Sequence, residues 1–161
     1  MTQKPEQILF DKLARFCNYR DRCSSEIEQK LNELDAEEPH RSIVIQWLME
    51  GEYFNDKIFA RSFASGKFRI KGWGKIKIKS ALHSKKLPEY LIEEAISSID
   101  EEEYLDKARQ LIERKVSSKK IDHLLRQKVL RSMFQKGYSS TLVLDILYSL
   151  QQEAEPRSVR S

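Results

Sequence analysis

The sequence predicts an all-α protein, an elongated, curved array of three tandem three-helix repeats. The expected bounds are 1–52, 53–100 and 101–152, followed by a frayed polar tail at 153–161. Three observations carry this. Only 5 Gly and 4 Pro stand in 161 residues, so few breakers interrupt a chain rich in strong helix formers. Apolar residues recur at helical spacing along most of the chain. Finally, Leu13-Ala14-Arg15, Phe59-Ala60-Arg61 and Lys107-Ala108-Arg109 recur 46 and then 48 residues apart. Each falls in the opening helix of a three-helix group that closes with an aliphatic helix, Ile43–Leu48, Leu91–Ile99 or Leu142–Leu150.

In chain order, Pro5 suits a first helical turn, and Leu9, Leu13, Phe16 and Cys17 predict a helix over about 6–20. Ser25-Glu26-Ile27-Glu28 reads as a capping box opening a second helix with Ile27, Leu31 and Leu34. Pro39 opens a third, with Ile43, Val44, Trp47 and Leu48 apolar and Gly51 as its stop. Asn55 can cap a fourth bearing Ile58, Phe59 and Phe63. Leu87-Pro88 starts a helix through Ile99, and Asp100 can cap the next, with Leu105, Ala108, Leu111 and Ile112. Ser117 or Ser118 precedes a helix through Met133 that stops at Gly137, and Ser139 or Ser140 caps the last. From Gln151 onward the chain is polar and expected to fray.

One segment supports two local structures. Lys67-Phe68-Arg69-Ile70-Lys71 and Lys75-Ile76-Lys77-Ile78-Lys79 alternate apolar and basic residues about Gly72-Trp73-Gly74, as a β-hairpin would. Yet Ile78, Ala81 and Leu82 share a helical face, so periodicity leaves hairpin and helix–turn–helix both open.

Charge is sorted into blocks. Residues 26–56 are net −7, and 57–88 hold ten bases and no acid. Residues 89–106 hold eight acids and no Lys or Arg, and 107–136 are net +8. Solvated helices usually mix signs to gain i,i+4 pairs, so an acid-free basic block favours a polyanionic partner such as nucleic acid phosphate. The competing explanation is that the basic blocks pair with the acidic ones inside the fold. No apolar run reaches ~18 residues, and the N-terminus lacks a signal-like apolar stretch, so no membrane partner and a cytosolic location are expected. Cys17 and Cys23 form no CxxC and have no nearby His, and His40, His83 and His123 fit no ligand spacing, so no metal or other cofactor is expected. No phosphate loop or nucleophile–His–acid order is present, which argues against an enzyme.

The residues Gly51-Glu52-Tyr53-Phe54-Asn55-Asp56-Lys57-Ile58-Phe59-Ala60 resemble the signature of the RecX family, bacterial regulators of the RecA recombinase. Arg69-Ile70-Lys71-Gly72-Trp73-Gly74 with Ile76 and Leu82 resembles a second family element. Leu13-Ala14-Arg15, Arg22, Ser25-Glu26-Ile27 and Lys30-Leu31 resemble the opening pattern, though Arg22 to Ser25 is one residue longer than the common form. Asn55 stands where the family favours Asp, a change that keeps the capping chemistry. The resemblance implies an all-helical fold, hence helix–turn–helix at 67–79. It implies a non-enzymatic regulator that binds the RecA nucleoprotein filament and suppresses its ATP hydrolysis and strand exchange; a monomer is expected separately, with no motif that fixes the oligomeric state. That places it in homologous recombination, DNA repair and the SOS response.

Gly51, Tyr53, Phe54, Asp56, Phe59 and Ala60 are expected to be mainly structural, at a repeat junction, with Asp56 a first-turn acid stabilised by the helix dipole. Lys67, Arg69, Lys71, Trp73, Lys75, Lys77, Lys79, Lys85 and Lys86 are the candidates for contact with single- or double-stranded DNA or with RecA. Lys71, Lys75 and Lys79 form one basic stripe if the helix reaches back to Lys71. Two other functions compete: a stand-alone, sequence-tolerant DNA-binding module, and a protein adaptor whose charge blocks pair internally.

Overall fold

The computed structural model describes residues 2–155. Among them are nine helices and no strand: α1 Pro5–Tyr19, α2 Ser24–Glu33, α3 His40–Glu50, α4 Asp56–Arg69, α5 Lys75–Ser84, α6 Glu89–Ser97, α7 Glu101–Val116, α8 His123–Lys136 and α9 Ser140–Ala154. They form three successive three-helix groups. No helix in the described residues is long and apolar enough to cross a membrane.

Local chemistry sets most of the boundaries. Pro5 stands in the first turn of α1, where its missing N–H is not needed. Asn55, Asp100 and Ser139 accept from the N–H groups of Ile58, Glu103 and Leu142, satisfying donors at the starts of α4, α7 and α9. Gly137 ends α8 at φ +99°, a left-handed position open to glycine.

Three expectations are corrected. The capping box of α2 lies earlier, because the Glu26 carboxylate accepts from the Cys23 N–H, making Cys23 the cap. Neither Ser117 nor Ser118 opens α8: Ser117 ends α7, and Asp122 caps α8 by accepting from the Leu125 N–H. The polar stretch from Gln151 does not fray at once, since α9 continues to Ala154; the rest of that expectation, at 156–161, lies outside the described residues.

Among the described residues two compact units emerge, one holding residues 2–63 with Ala81–Ala95, the other Ala64–Ser80 with residues 96–155. In the first, Leu13, Cys17, Ile27, Leu31, Val44 and Leu48 form one buried cluster from α1, α2 and α3. The Phe10 ring meets Trp47 and Tyr53 edge-on at 5.9 and 5.4 Å. Each such apolar side chain contributes roughly 1.5–3 kcal/mol on burial. In the second unit, Phe68, Ile78, Tyr104, Ile112, Met133, Tyr138 and Leu147 are buried. There the Tyr104 ring stacks on Tyr138 at 5.2 Å and lies 5.7 Å from Phe68.

Candidate nucleic-acid and protein interface

The signature segment 51–60 joins α3 to α4. A Cβ on Gly51 would lie 2.7 Å from Cε2 of Tyr53, so the glycine gives the Tyr53 ring its seat beside the chain. Tyr53 and Phe54 then pack on the first unit's core, and Phe59 and Ala60 are buried. Asp56 does more than complement its own helix. Its carboxylate accepts from the Ser24 N–H at 2.7 Å and from Ser24 Oγ at 2.6 Å, tying the start of α4 to the start of α2.

The second unit repeats this joint with different atoms. Tyr104 follows Asp56 by 48 residues, the spacing that separates Phe59-Ala60-Arg61 from Lys107-Ala108-Arg109. Its hydroxyl accepts from the Lys75 N–H at 2.9 Å, tying the first turn of α7 to the start of α5. Burial pushes the Tyr104 phenol up from its ordinary pKa, outweighing the hydrogen bond from the Lys75 N–H. Burial likewise raises Tyr138, whose hydroxyl donates to the Gly72 carbonyl at 3.1 Å. Neither joint was visible in the sequence, though the repeat spacing held the clue to their equivalence.

The Gly72-Trp73-Gly74 segment is a turn between helices. Gly72 sits at φ +70°, and the Trp73 N–H donates to the Lys67 carbonyl. The Gly74 N–H donates to the Lys136 carbonyl at 2.7 Å and the Ile76 N–H to the Gly137 carbonyl at 3.1 Å. A Cβ on Gly74 would lie 2.3 Å from the Gly137 oxygen, so two backbones meet where no side chain fits. Ile70 and Ile76 are 82% and 55% exposed while Phe68 and Ile78 are buried, which is not the one-sided burial a hairpin requires.

This turn decides the fate of the candidate bases. Lys71 lies in it, so the stripe Lys71–Lys75–Lys79 loses its first member, leaving Lys75 and Lys79 one turn apart on α5. The Nζ atoms of Lys67 and Lys77 lie 4.8 and 4.5 Å from the centroid of the half-buried Trp73 ring, each a cation–π contact of about 0.5–1 kcal/mol. Arg69 pairs with Glu103 at 3.3 Å and Lys75 with Glu101 at 2.7 Å. In the first unit, Lys57 pairs with Glu94 at 3.3 Å and Lys85 with Glu26 at 3.4 Å. The basic block thus meets both acidic blocks within the fold. Lys71 and Lys86 are exposed and have no ion-pair partner among the described residues.

Glu26 is the most engaged acid. Burial alone would raise its carboxyl, but hydrogen bonds from Arg20 and the Cys23 N–H, with Lys85 nearby, hold it below the ordinary value. Arg22 places its guanidinium 3.6 Å from the Phe16 ring centroid and donates to the Phe16 carbonyl at 2.8 Å. Cys17 and Cys23 are buried free thiols, and burial raises both. Among the described residues, no group of three or more His, Cys, Asp or Glu could hold a metal ion.

Two family models match this chain: the second three-helix domain of RecX over residues 55–96, and the third over 101–147. A regulatory protein RecX of Lactococcus lactis subsp. lactis (strain IL1403) is 28% identical over 145 residues, covering 87% of this chain and 54% of its own length. One from Bacillus subtilis (strain 168) is 27% identical over 157 residues, covering 94% and 60%. The chain spans about half the length of the first curated relatives it matches. In fold it is similar to the crystal structure of RecX from Lactobacillus salivarius, with a TM-score of 0.81 at 23% identity over 91% of this chain and 97% of that one. A second structure, of a regulatory protein RecX, gives 0.76 at 22% identity over 88% and 72%.

Proposed function

This chain belongs to the RecX family, and on that premise we propose that it is a non-enzymatic regulator that binds the RecA recombinase on DNA. It suppresses RecA ATP hydrolysis and strand exchange, and so acts in homologous recombination and repair. The observation that carries this is the match to two successive RecX domain models, set on helices in the same order. Tandem three-helix groups suit a polymeric partner, because several modest contacts made together add as avidity.

DNA phosphate is the second contact in this account. Lys71 and Lys86, exposed and outside the internal ion pairs, are the first-choice phosphate contacts among the candidate bases. Arg69 and Lys75 can join them only by exchanging Glu103 and Glu101 for phosphate. At low salt the protein binds DNA with little sequence preference, and affinity falls as salt rises, by a log–log slope of about −0.9 per duplex phosphate contact.

The experiment is a titration of the purified protein into RecA turning over ATP on single-stranded DNA. The expected result is progressive loss of turnover. Unchanged turnover at protein in excess over RecA contradicts the proposal.

A further inference from the structure

The second basic block places four lysines around one cleft in the second unit, at the end of α7, the connection 117–122 and the first turns of α8. Lys115, Lys119, Lys120 and Lys128 line it, and its volume is about 710 Å³. None of the four has an ion-pair partner among the described residues, unlike Lys57, Arg69, Lys75 and Lys85. Among the described residues the single acid in the lining is Asp122, which accepts from the Leu125 N–H as the cap of α8. Inside this basic rim the surface is aliphatic: Leu124, 72% exposed, with Leu125 and the buried Val129 beside it.

We propose that this cleft is a docking site for an acidic peptide segment that carries an apolar anchor residue. Charge complementarity selects the sign of the partner, and the aliphatic floor selects its kind. A phosphate backbone uses ammonium groups but gains nothing from an apolar floor of Leu124 and Leu125. A single strand gains from rings that stack its bases, and among the described residues no aromatic side chain lines the cleft. A peptide carboxylate run with one buried side chain uses both parts. The exposed lysines supply encounter rate and orientation, and the anchor on Leu124 supplies most of the affinity. The proposal stands apart from RecA binding, since it concerns only the chemistry of this cleft.

The test uses the full chain and fluorescence anisotropy with three labelled probes: a short Asp/Glu peptide with a central Leu-Phe pair, the same peptide with Ala-Ala at its centre, and an oligothymidylate. The Leu-Phe peptide is expected to bind about tenfold or more tighter than the Ala-Ala one, the scale of burying one large apolar side chain. Leu124→Asp and the pair Lys119→Glu, Lys120→Glu should each weaken it about tenfold. Melting should be unchanged, because these positions are exposed. If Leu124→Asp lowers the melting temperature, Lys128→Glu with Lys119→Glu replaces it as the test. Equal affinity for the two peptides, or no binding of the Leu-Phe peptide, overturns the proposal. So does an oligothymidylate affinity lost with lysine reversal while the peptide is indifferent to both sites, which would make the cleft a phosphate surface.

Discussion

Asp56 and Glu26 show how single carboxylates position whole helices in the first unit. Asp56 accepts two hydrogen bonds from Ser24, 32 residues earlier. Asp56→Ala removes both while leaving the Asn55 cap of α4 in place, and hydrogen bonds to a charged group contribute about 1.5–3 kcal/mol. The expected result is a destabilisation of about that size in denaturant melts, largely recovered by Asp56→Asn, which keeps an acceptor. Glu26 gives a pH signature. Its folded pKa lies below its unfolded value, so its stabilisation is complete above the ordinary carboxyl range and is lost as pH falls through the folded value. Tyr104 and Tyr138 work in the opposite direction: both are raised, so their contribution is complete below the ordinary phenol range and is lost as pH rises above it. Melting temperature against pH should therefore fall at both ends. Glu26→Gln should flatten the acid limb, and an acid limb unchanged by that substitution would remove Glu26 from the account.

At the scale of the element, the turn between α4 and α5 depends on contact rather than propensity. Gly74→Ala drives a methyl to within 2.3 Å of the Gly137 oxygen and should destabilise by about 1–3 kcal/mol, as overpacking does. Gly66→Ala, inside α4 with nothing within 4 Å, should stabilise by about 0.5–1 kcal/mol. Similar melting temperatures for the two variants would show that the turn does not dock on Gly137. The same turn marks the limit of what was legible in the sequence. Helix starts at Asn55, Asp100 and Ser139 were legible because a cap bonds only two or three residues ahead. The start of α8 was misplaced because Ser117, Ser118 and Asp122 all offer cap oxygens, and only Asp122 reaches the N–H of the first turn. The alternation at 67–79 pointed to a strand as readily as a helix, since the burial that separates them comes from Tyr104 and Tyr138, far along the chain. The ion pairs of Arg69 and Lys75 with the first turn of α7 were equally non-local. They yield a prediction: Glu101→Gln with Glu103→Gln releases both bases and should tighten DNA binding at low salt. Unchanged or weaker binding in an electrophoretic or anisotropy assay would mean those bases do not face phosphate.

For the whole molecule, the sequence made the three-group order legible through its repeat, and the two RecX domain models fall on the second and third groups. What a single sequence could not give was the use of its charge, because a basic block next to acidic blocks satisfies both an internal and an external partner. The structure divides that charge, placing Lys57, Arg69, Lys75 and Lys85 in internal pairs and leaving the four lysines of the α7–α8 cleft outside them. The function proposed above has this chain act on RecA rather than merely on DNA. The most direct measurement is the amount of protein, relative to RecA and to DNA sites, that halves RecA ATP hydrolysis on single-stranded DNA. Half-inhibition is expected well below one protein per RecA subunit, at concentrations where most of the DNA is still free of it. Inhibition that appears only once the protein coats the DNA would contradict it and leave simple competition for phosphate as the explanation.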